Sequence, residues 1–140
     1  MASISAAGSV LVLGRPAAAL QAVERLGNVE TVNVAEDDVA ERVRTWSAGQ
    51  GADLVFEAVG GGATIGQALK IVRPGGRVGL VGAQSIADQL AVGIVQHNEI
   101  SLVGCFCYGR SAMHSEFRIA LGLLASGQLD ATPFITHRFR

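Results

Sequence analysis

This sequence is poor in charge, aromatic rings, proline and sulfur, and each shortage removes a class of function. Charged residues make up 16% of the chain, and 11 Lys and Arg stand against 12 Asp and Glu, for a net charge of -1. With no basic excess to neutralise phosphates, the chain is not expected to bind nucleic acid. The two cysteines, Cys105 and Cys107, are one residue apart. A disulfide between such positions would close a trivial loop, so no disulfide framework is expected and a reducing cytoplasm is the default compartment. Long apolar runs are missing too. Val10–Leu13 and Leu121–Ala125 are short, the second being bounded by Arg118 upstream and Ser126-Gly127 downstream, so no membrane span is expected. Met1–Ser9 contains no basic residue, which does not fit a secretory signal.

What is plentiful is hydrophobic residue (49%) and glycine, 18 residues against 3 prolines. That balance suits a globular domain with many tight turns between buried strands. Short apolar runs alternate with amphipathic segments. Val10–Leu13 reads as a buried strand ending at Gly14, and Pro16 suits the first turn of a helix with Leu20, Val23 and Leu26 on one face. Gly27 stops it, and a short strand follows over Glu30–Val34. Asp37 or Asp38 can cap the next helix, whose stripe is Val39, Val43 and Trp46. Leu54-Val55-Phe56 reads as a buried strand, and Ala63–Val72 as a helix with Ile65, Ala68, Leu69 and Val72 inward. Arg73-Pro74-Gly75-Gly76 is a turn into a strand over Arg77–Val81. Gln84–Gln96 is the least regular stretch. A strand over Ile100–Phe106 precedes a helix over Ser111–Ala125, with Phe117, Ala120, Leu121 and Leu124 inward, and Phe134–Thr136 is a short extended end. Strands alternating with helices predict one α/β domain over 1–140, a mostly parallel sheet with helices on both faces.

Three segments carry a resemblance. They are Gly51-Ala52-Asp53-Leu54-Val55-Phe56-Glu57-Ala58-Val59-Gly60, then LKIVRPGGRVGLVG over Leu69–Gly82, then Ile100–Gly104 leading on to Leu129-Asp130 and PFITHRF at Pro133–Phe139. In that order and spacing they resemble the second half of the nucleotide-binding domain of the medium-chain dehydrogenases/reductases, the zinc-type alcohol, sorbitol and threonine dehydrogenase group. The resemblance implies a Rossmann-like fold and an NAD(P) cofactor. It also marks a departure. The family's first strand leads into a Gly-rich loop whose N–H groups approach the cofactor pyrophosphate at a helix N-terminus, and this sequence has no G-x-G-x-x-G. Gly14-Arg15-Pro16 instead resembles the end of the family's second strand. The first strand with its loop, and the catalytic zinc and substrate domain, are therefore expected to be absent. Because that strand is central in the order 3-2-1-4-5-6, either another segment supplies it or the remaining strands close up. A second alignment takes Val10–Leu13 as the first strand and GRPAAA as a degenerate turn.

The resemblance assigns cofactor contacts residue by residue. Where the family often has an acid binding the adenine ribose, this sequence has Gly14 followed by Arg15. Losing the carboxylate and gaining a guanidinium favours NADP over NAD, while Arg15 read locally is a solvated turn residue. Ala58, Val59 and Gly60 follow one strand, Val81, Gly82 and Ala83 the next, and Cys105, Phe106 and Cys107 a third. Such strand ends are where doubly wound sheets bind ligands. The first group would flank the adenosine and ribose, the other two the nicotinamide. Read locally, the same small residues ease strand-to-helix turns.

His97, His114 and His137 have no zinc-ligand spacing, and Cys105-x-Cys107 lacks a second pair. Surface or turn roles are expected for the histidines, and no catalytic role for Asp53 or Glu57. Ser101-Leu102-Val103-Gly104 has no charge or proline to blunt an exposed edge. In dimeric members of the family the corresponding strand pairs with its copy, so a homodimer through Ile100–Gly104 is expected. The leading functional reading is the cofactor-binding part of an NAD(P)-dependent alcohol or polyol dehydrogenase, inactive alone, with zinc only in the absent domain. Two others stay open. One is an S-adenosylmethionine-dependent methyltransferase, whose middle section ADLVFEAVG over Ala52–Gly60 and ALKIVRPGGRVGLVG over Ala68–Gly82 also resemble. The other is a non-catalytic interaction module.

Overall fold

The computed structural model describes residues 7–83, 90–106, 110–111, 114–135 and 137–139. Strands and helices alternate through most of it: β1 (Val10–Gly14), α1 (Ala17–Glu24), β2 (Val29–Asn33), α2 (Val39–Trp46), β3 (Ala52–Glu57), α3 (Gly62–Ile71), β4 (Val72–Leu80), α4 (Val92–His97) and β5 (Ser101–Gly104). After them come the two-residue strands β6 (Arg110–Ser111) and β7 (His114–Ser115), α5 (Glu116–Ala125) and a 3-10 turn at Thr132–Phe134. The chain forms two compact units, one of Met1–Val39 with Tyr108–Arg140, the other of Ala40–Cys107.

In the second unit β3, β4 and β5 form a parallel sheet in that order. Their register runs Val55–Val78–Leu102 and Glu57–Leu80–Gly104 in rows across the sheet, alternating with Leu54–Arg77–Ser101 and Phe56–Gly79–Val103. Successive side chains on a strand point to opposite faces, and the helices cover the first set of rows. Ile65, Ala68 and Leu69, three and four residues apart on α3, are buried with Val72, Val78 and Ile100. Val55, Leu80 and Leu102 from the strands, and Ile94 and Val95 from α4, pack against that cluster. On the alternate rows Leu54 is 49% exposed and Phe56 59% exposed. Leu54 and Phe56 are thus not the buried strand residues the sequence suggested, and Val55 alone of the three packs inward.

The Arg73–Gly76 turn lies inside β4 rather than before it. Ala52 pairs with Val72, then Leu54 with Arg77, so the extra residues loop out between the two pairs. Arg73 Nε donates to Asp53 Oδ1 at 2.6 Å across this irregularity.

In the first unit β1 and β2 are parallel, from Val10 opposite Val29 to Gly14 opposite Asn33. Leu20 of α1 and Val32 of β2 are buried there, whereas Leu26, beyond the end of α1, is exposed. Asp37 turns back, its Oδ2 accepting from Asn33 N at 3.0 Å. The expected helix over Ser111–Ala125 begins only at Glu116, because Arg110–Ser111 and His114–Ser115 pair as antiparallel strands. Phe117, Ala120, Leu121 and Leu124, read as inward, are all exposed. Part of the irregular stretch is the helix α4, and Phe134 closes a 3-10 turn instead of starting an extended end.

Among the described residues β1 pairs only with β2, and β3 only with β4. The β3–β4 ladder decides between the two alignments. In the order 3-2-1-4-5-6, strands 4, 5 and 6 are consecutive neighbours, whereas strands 3 and 4 are not adjacent. β3, β4 and β5 therefore correspond to strands 4, 5 and 6, and β1 and β2 to strands 2 and 3. Val10–Leu13 is therefore not the first strand in that order.

The row alternation makes a stability prediction. Leu69→Ala empties a site at 2% exposure and should cost about 2–5 kcal/mol. Leu54→Ala, on the uncovered face, should stay within about 0.5 kcal/mol. Urea unfolding followed by circular dichroism measures both, and equal losses would contradict this assignment of faces.

Candidate functional site

All three strands of the second unit run the same way, so their C-terminal ends meet at one edge. The last row is Glu57–Leu80–Gly104. Beyond it the chain continues as Ala58-Val59-Gly60, Val81-Gly82-Ala83 and Cys105-Phe106. The ladder persists past the strand ends: Val81 N and Gly82 N both donate to the Glu57 carbonyl oxygen, at 2.8 and 2.9 Å, and Cys105 N donates to the Leu80 carbonyl oxygen at 2.9 Å. Eight of the expected contact residues therefore lie side by side along a single edge. Cys107, the ninth assigned to this edge, lies outside the described residues.

The edge is open and largely apolar. Val59 is 78% exposed, Val81 51% and Phe106 89%. Cys105 is a free, exposed thiol whose Sγ lies 3.7 Å from the Val103 carbonyl oxygen. Between the first two segments the backbone is tightly packed. Gly60 has φ of +93°, and a Cβ there would run into the Ala83 carbonyl oxygen. A Cβ on Gly82 would collide with Gly60 N and lie 2.8 Å from the Val59 carbonyl carbon. Only glycine fits either position without displacing the other segment.

Glu57 is the residue that sequence reasoning passed over. It is the one buried charged side chain among the described residues. Its Oε1 accepts from Val59 N at 2.9 Å and from Gly60 N at 2.8 Å. The signal was an acid closing an apolar strand just before Ala58-Val59-Gly60, but nothing local says that the following residues fold back over it.

Gly14 and Arg15 belong to the first unit. Gly14 ends β1, accepts from Val34 N at 2.9 Å, and is packed so that a Cβ would sit 2.9 Å from Leu20 Cδ2. Arg15 is exposed. The histidines are not gathered. His97 ends α4 with Nδ1 2.9 Å from the Gly93 carbonyl oxygen, His114 is in β7, and His137 stacks on Phe139 with ring centroids 6.2 Å apart. The Asp130 carboxyl is held below the usual range by hydrogen bonding to the Thr132 side chain and backbone N–H, and it precedes the 3-10 turn rather than a strand end.

These placements test what groups the residues suit. The exposed strand ends, with small residues and free apolar surface, suit the flat ring and ribose of a nucleotide. Gly60-Gly61-Gly62 leads from the first of them into α3, without the G-x-G-x-x-G spacing of a pyrophosphate loop. Among the described residues no group of three or more His, Cys, Asp or Glu is placed to hold a metal ion. No described helix is long and apolar enough to cross a membrane.

Comparison with known proteins places the chain in a family. The family model described as zinc-binding dehydrogenase matches residues 1–126. The chain is 29% identical over 134 residues to sorbitol dehydrogenase of Bacillus subtilis (strain 168), covering 95% of this chain and 36% of that protein. It is 32% identical over 141 residues to L-threonine 3-dehydrogenase of Bacillus licheniformis, covering 99% and 40%. A solved NAD-dependent alcohol dehydrogenase superposes with a TM-score of 0.71 at 25% identity, over 91% of this chain and 37% of that one. The chain thus spans well under half the length of these relatives. Sequence, strand order and superposition agree on one point: this chain belongs to the zinc-binding dehydrogenase family.

Proposed function

We propose that this chain is the cofactor-binding part of an NAD(P)-dependent alcohol or polyol dehydrogenase, with the dinucleotide lying along one edge, its adenosine and ribose side flanked by Ala58–Gly60 and its nicotinamide by Val81–Ala83 and Cys105–Phe106. The observation that carries the reading is the in-register row of exposed strand ends at Val59, Val81 and Cys105. It is the position at which open α/β sheets bind ligands. When bound, the dinucleotide supplies or accepts the hydride. The residues of this edge supply a surface for the ring and backbone groups for its substituents. Cys107 completes the assigned set.

By the family resemblance, the zinc and the activation of the substrate oxygen are assigned to a domain outside these 140 residues. The chain alone is inactive on this reading, and without the pyrophosphate loop it holds the cofactor weakly. Gly14-Arg15 at the end of β1 gives NADP the advantage over NAD, through a guanidinium able to pair with a 2′-phosphate. Family membership takes the place of the methyltransferase reading. The free edge of β5, which pairs only with β4 among the described residues, is assigned to a homodimer contact through Ile100–Gly104. The reducing cytoplasm is the compartment that suits two thiols without a disulfide framework.

Titration of the labelled chain with NADP+, NAD+ and S-adenosylmethionine, followed by amide NMR, tests the cofactor assignment. NADP+ and NAD+ should shift the signals of Val59, Val81, Gly82 and Cys105. A response to S-adenosylmethionine alone would overturn the reading. Arg15→Ala should weaken NADP+ about tenfold, the worth of one charge-assisted contact, and leave NAD+ unchanged. Light scattering at micromolar concentration should give twice the chain mass, and Val103→Lys, which blunts the edge, should give a monomer. A monomeric wild type would remove the dimer from the proposal.

A further inference from the structure

We propose that Glu57 is a positioning residue that clasps two loops of the cofactor edge into one rigid surface, an inference that rests on the dinucleotide reading above. Glu57 is 4% exposed, and a buried carboxylate persists only where fixed hydrogen bonds replace its water. Here the donors come from the loop it precedes. Oε1 accepts from the backbone of both Val59 and Gly60, at 2.9 and 2.8 Å. The backbone carbonyl of the same residue accepts from Val81 and Gly82 of the neighbouring loop, at 2.8 and 2.9 Å. One residue therefore holds four amides, two on each loop.

The packing closes the clasp from the other side. A Cβ on Gly82 would meet Gly60 N and lie 2.9 Å from Glu57 Oε2, and one on Gly60 would meet the Ala83 carbonyl oxygen. The loops touch through backbone alone, with the carboxylate beneath them. Val59 and Val81 stand on the outer, exposed side. Glu57 thus lies under the surface assigned to the ligand and acts through the two loops. Hydrogen bonds to an ionised acceptor are stronger than neutral ones, and leaving the two donors unpaired carries their full desolvation cost. The carboxylate fixes the first loop to the strand end, and the close approach passes that position on to Gly82 and Ala83. This explains an acid at the end of β3, directly after Leu54-Val55-Phe56, without giving it any proton-transfer role.

Glu57→Ala and Glu57→Gln in the full chain separate positioning from bulk structure. Glutamine keeps the shape and one carbonyl oxygen able to accept both amides. In Glu57→Ala, hydrogen exchange of the Val59 and Gly60 amides should accelerate about tenfold or more, the Gly82 and Ala83 signals should shift, and the core amides of Val78 and Leu80 should keep their protection. NADP+ affinity, read by NMR titration, should fall about tenfold in Glu57→Ala and return to within about threefold of wild type in Glu57→Gln. Unchanged exchange at Val59 and Gly60, or wild-type NADP+ affinity with those amides loosened, overturns the proposal. So does a Glu57→Gln variant as weak as Glu57→Ala. Should Glu57→Ala fail to fold, Gly82→Ala opens the same clasp by a methyl group with the acid intact. It should loosen Val59 and Gly60 likewise, and full protection there overturns the clasp. A wild type that binds neither NADP+ nor NAD+ refutes the dinucleotide reading separately, and the exchange data then judge the clasp by themselves.

Discussion

The parallel ladder of β3, β4 and β5 is the constraint on which the candidate site depends. Parallel strands joined by helical crossovers end on the same side, so register at one row fixes register at the next. Val55, Val78 and Leu102 share a row because they share the surface packed under α3 and α4. Two residues on, the same register puts Glu57, Leu80 and Gly104 opposite one another. A slip of one residue would turn the buried row outward. Burial of Val78 and Ile65 is therefore what aligns Val59, Val81 and Cys105, although none of those three is itself buried. The edge is a product of the core behind it.

The same ladder also displays what the family fold has and these residues lack. A parallel strand is ordinarily paired on both edges and covered on both faces. β3 has one partner, and Leu54 and Phe56 on its uncovered side remain half exposed. β1 is an apolar strand, VLVLG, in which every residue is only partly buried. In the family's strand order the missing neighbour of both β1 and β3 is the same strand, the central one. Backbone N–H and C=O groups left on those edges need partners from water or from another strand. The apolar side chains beside them gain nothing from water. On α5, Phe117 and Leu121 are exposed as well.

Much of this architecture is legible in the sequence because local chemistry decides it. The Ile65, Ala68, Leu69 spacing can bury one face of a helix and only one. Gly27 and Gly127 adopt the positive φ that ends α1 and α5. The Val10–Leu13 and Leu54–Phe56 runs have the length and composition of strands. What escaped reading depends on partners remote in the chain. Phe117, Leu121 and Leu124 have helical spacing, but periodicity names the face to be buried without naming a surface to bury it. Phe56 belongs to a strand that looks central, and its exposure follows from what does not cover it. PGGR looks like a free turn, yet it loops out within β4 because Val72 pairs back to Ala52. Of the candidate site, the three strand-end segments are visible as glycine and small residues after apolar runs. Their tight juxtaposition is not visible, since Gly60 and Gly82 are 22 residues apart in the chain and need each other's lack of a side chain.

Glu57 shows how such non-local facts change the meaning of a residue. In sequence it is an acid between Phe56 and Ala58 that ends a strand and carries no catalytic role. In the fold it is buried, and the two amides that pair with its Oε1 belong to the residues immediately following it. The turn to Gly60 is possible because that residue takes a positive φ, and the positive φ in turn brings Gly60 against the neighbouring loop. Conformational freedom at a glycine, burial of a carboxylate and contact between adjacent strand ends are here one arrangement. Removing any member exposes the others to water or to collision. A surface for a flat ring needs this kind of rigidity, because a ligand that must first order two loops loses affinity to their entropy. On the proposed cofactor reading, the edge is preorganised by an acid that the ligand does not touch.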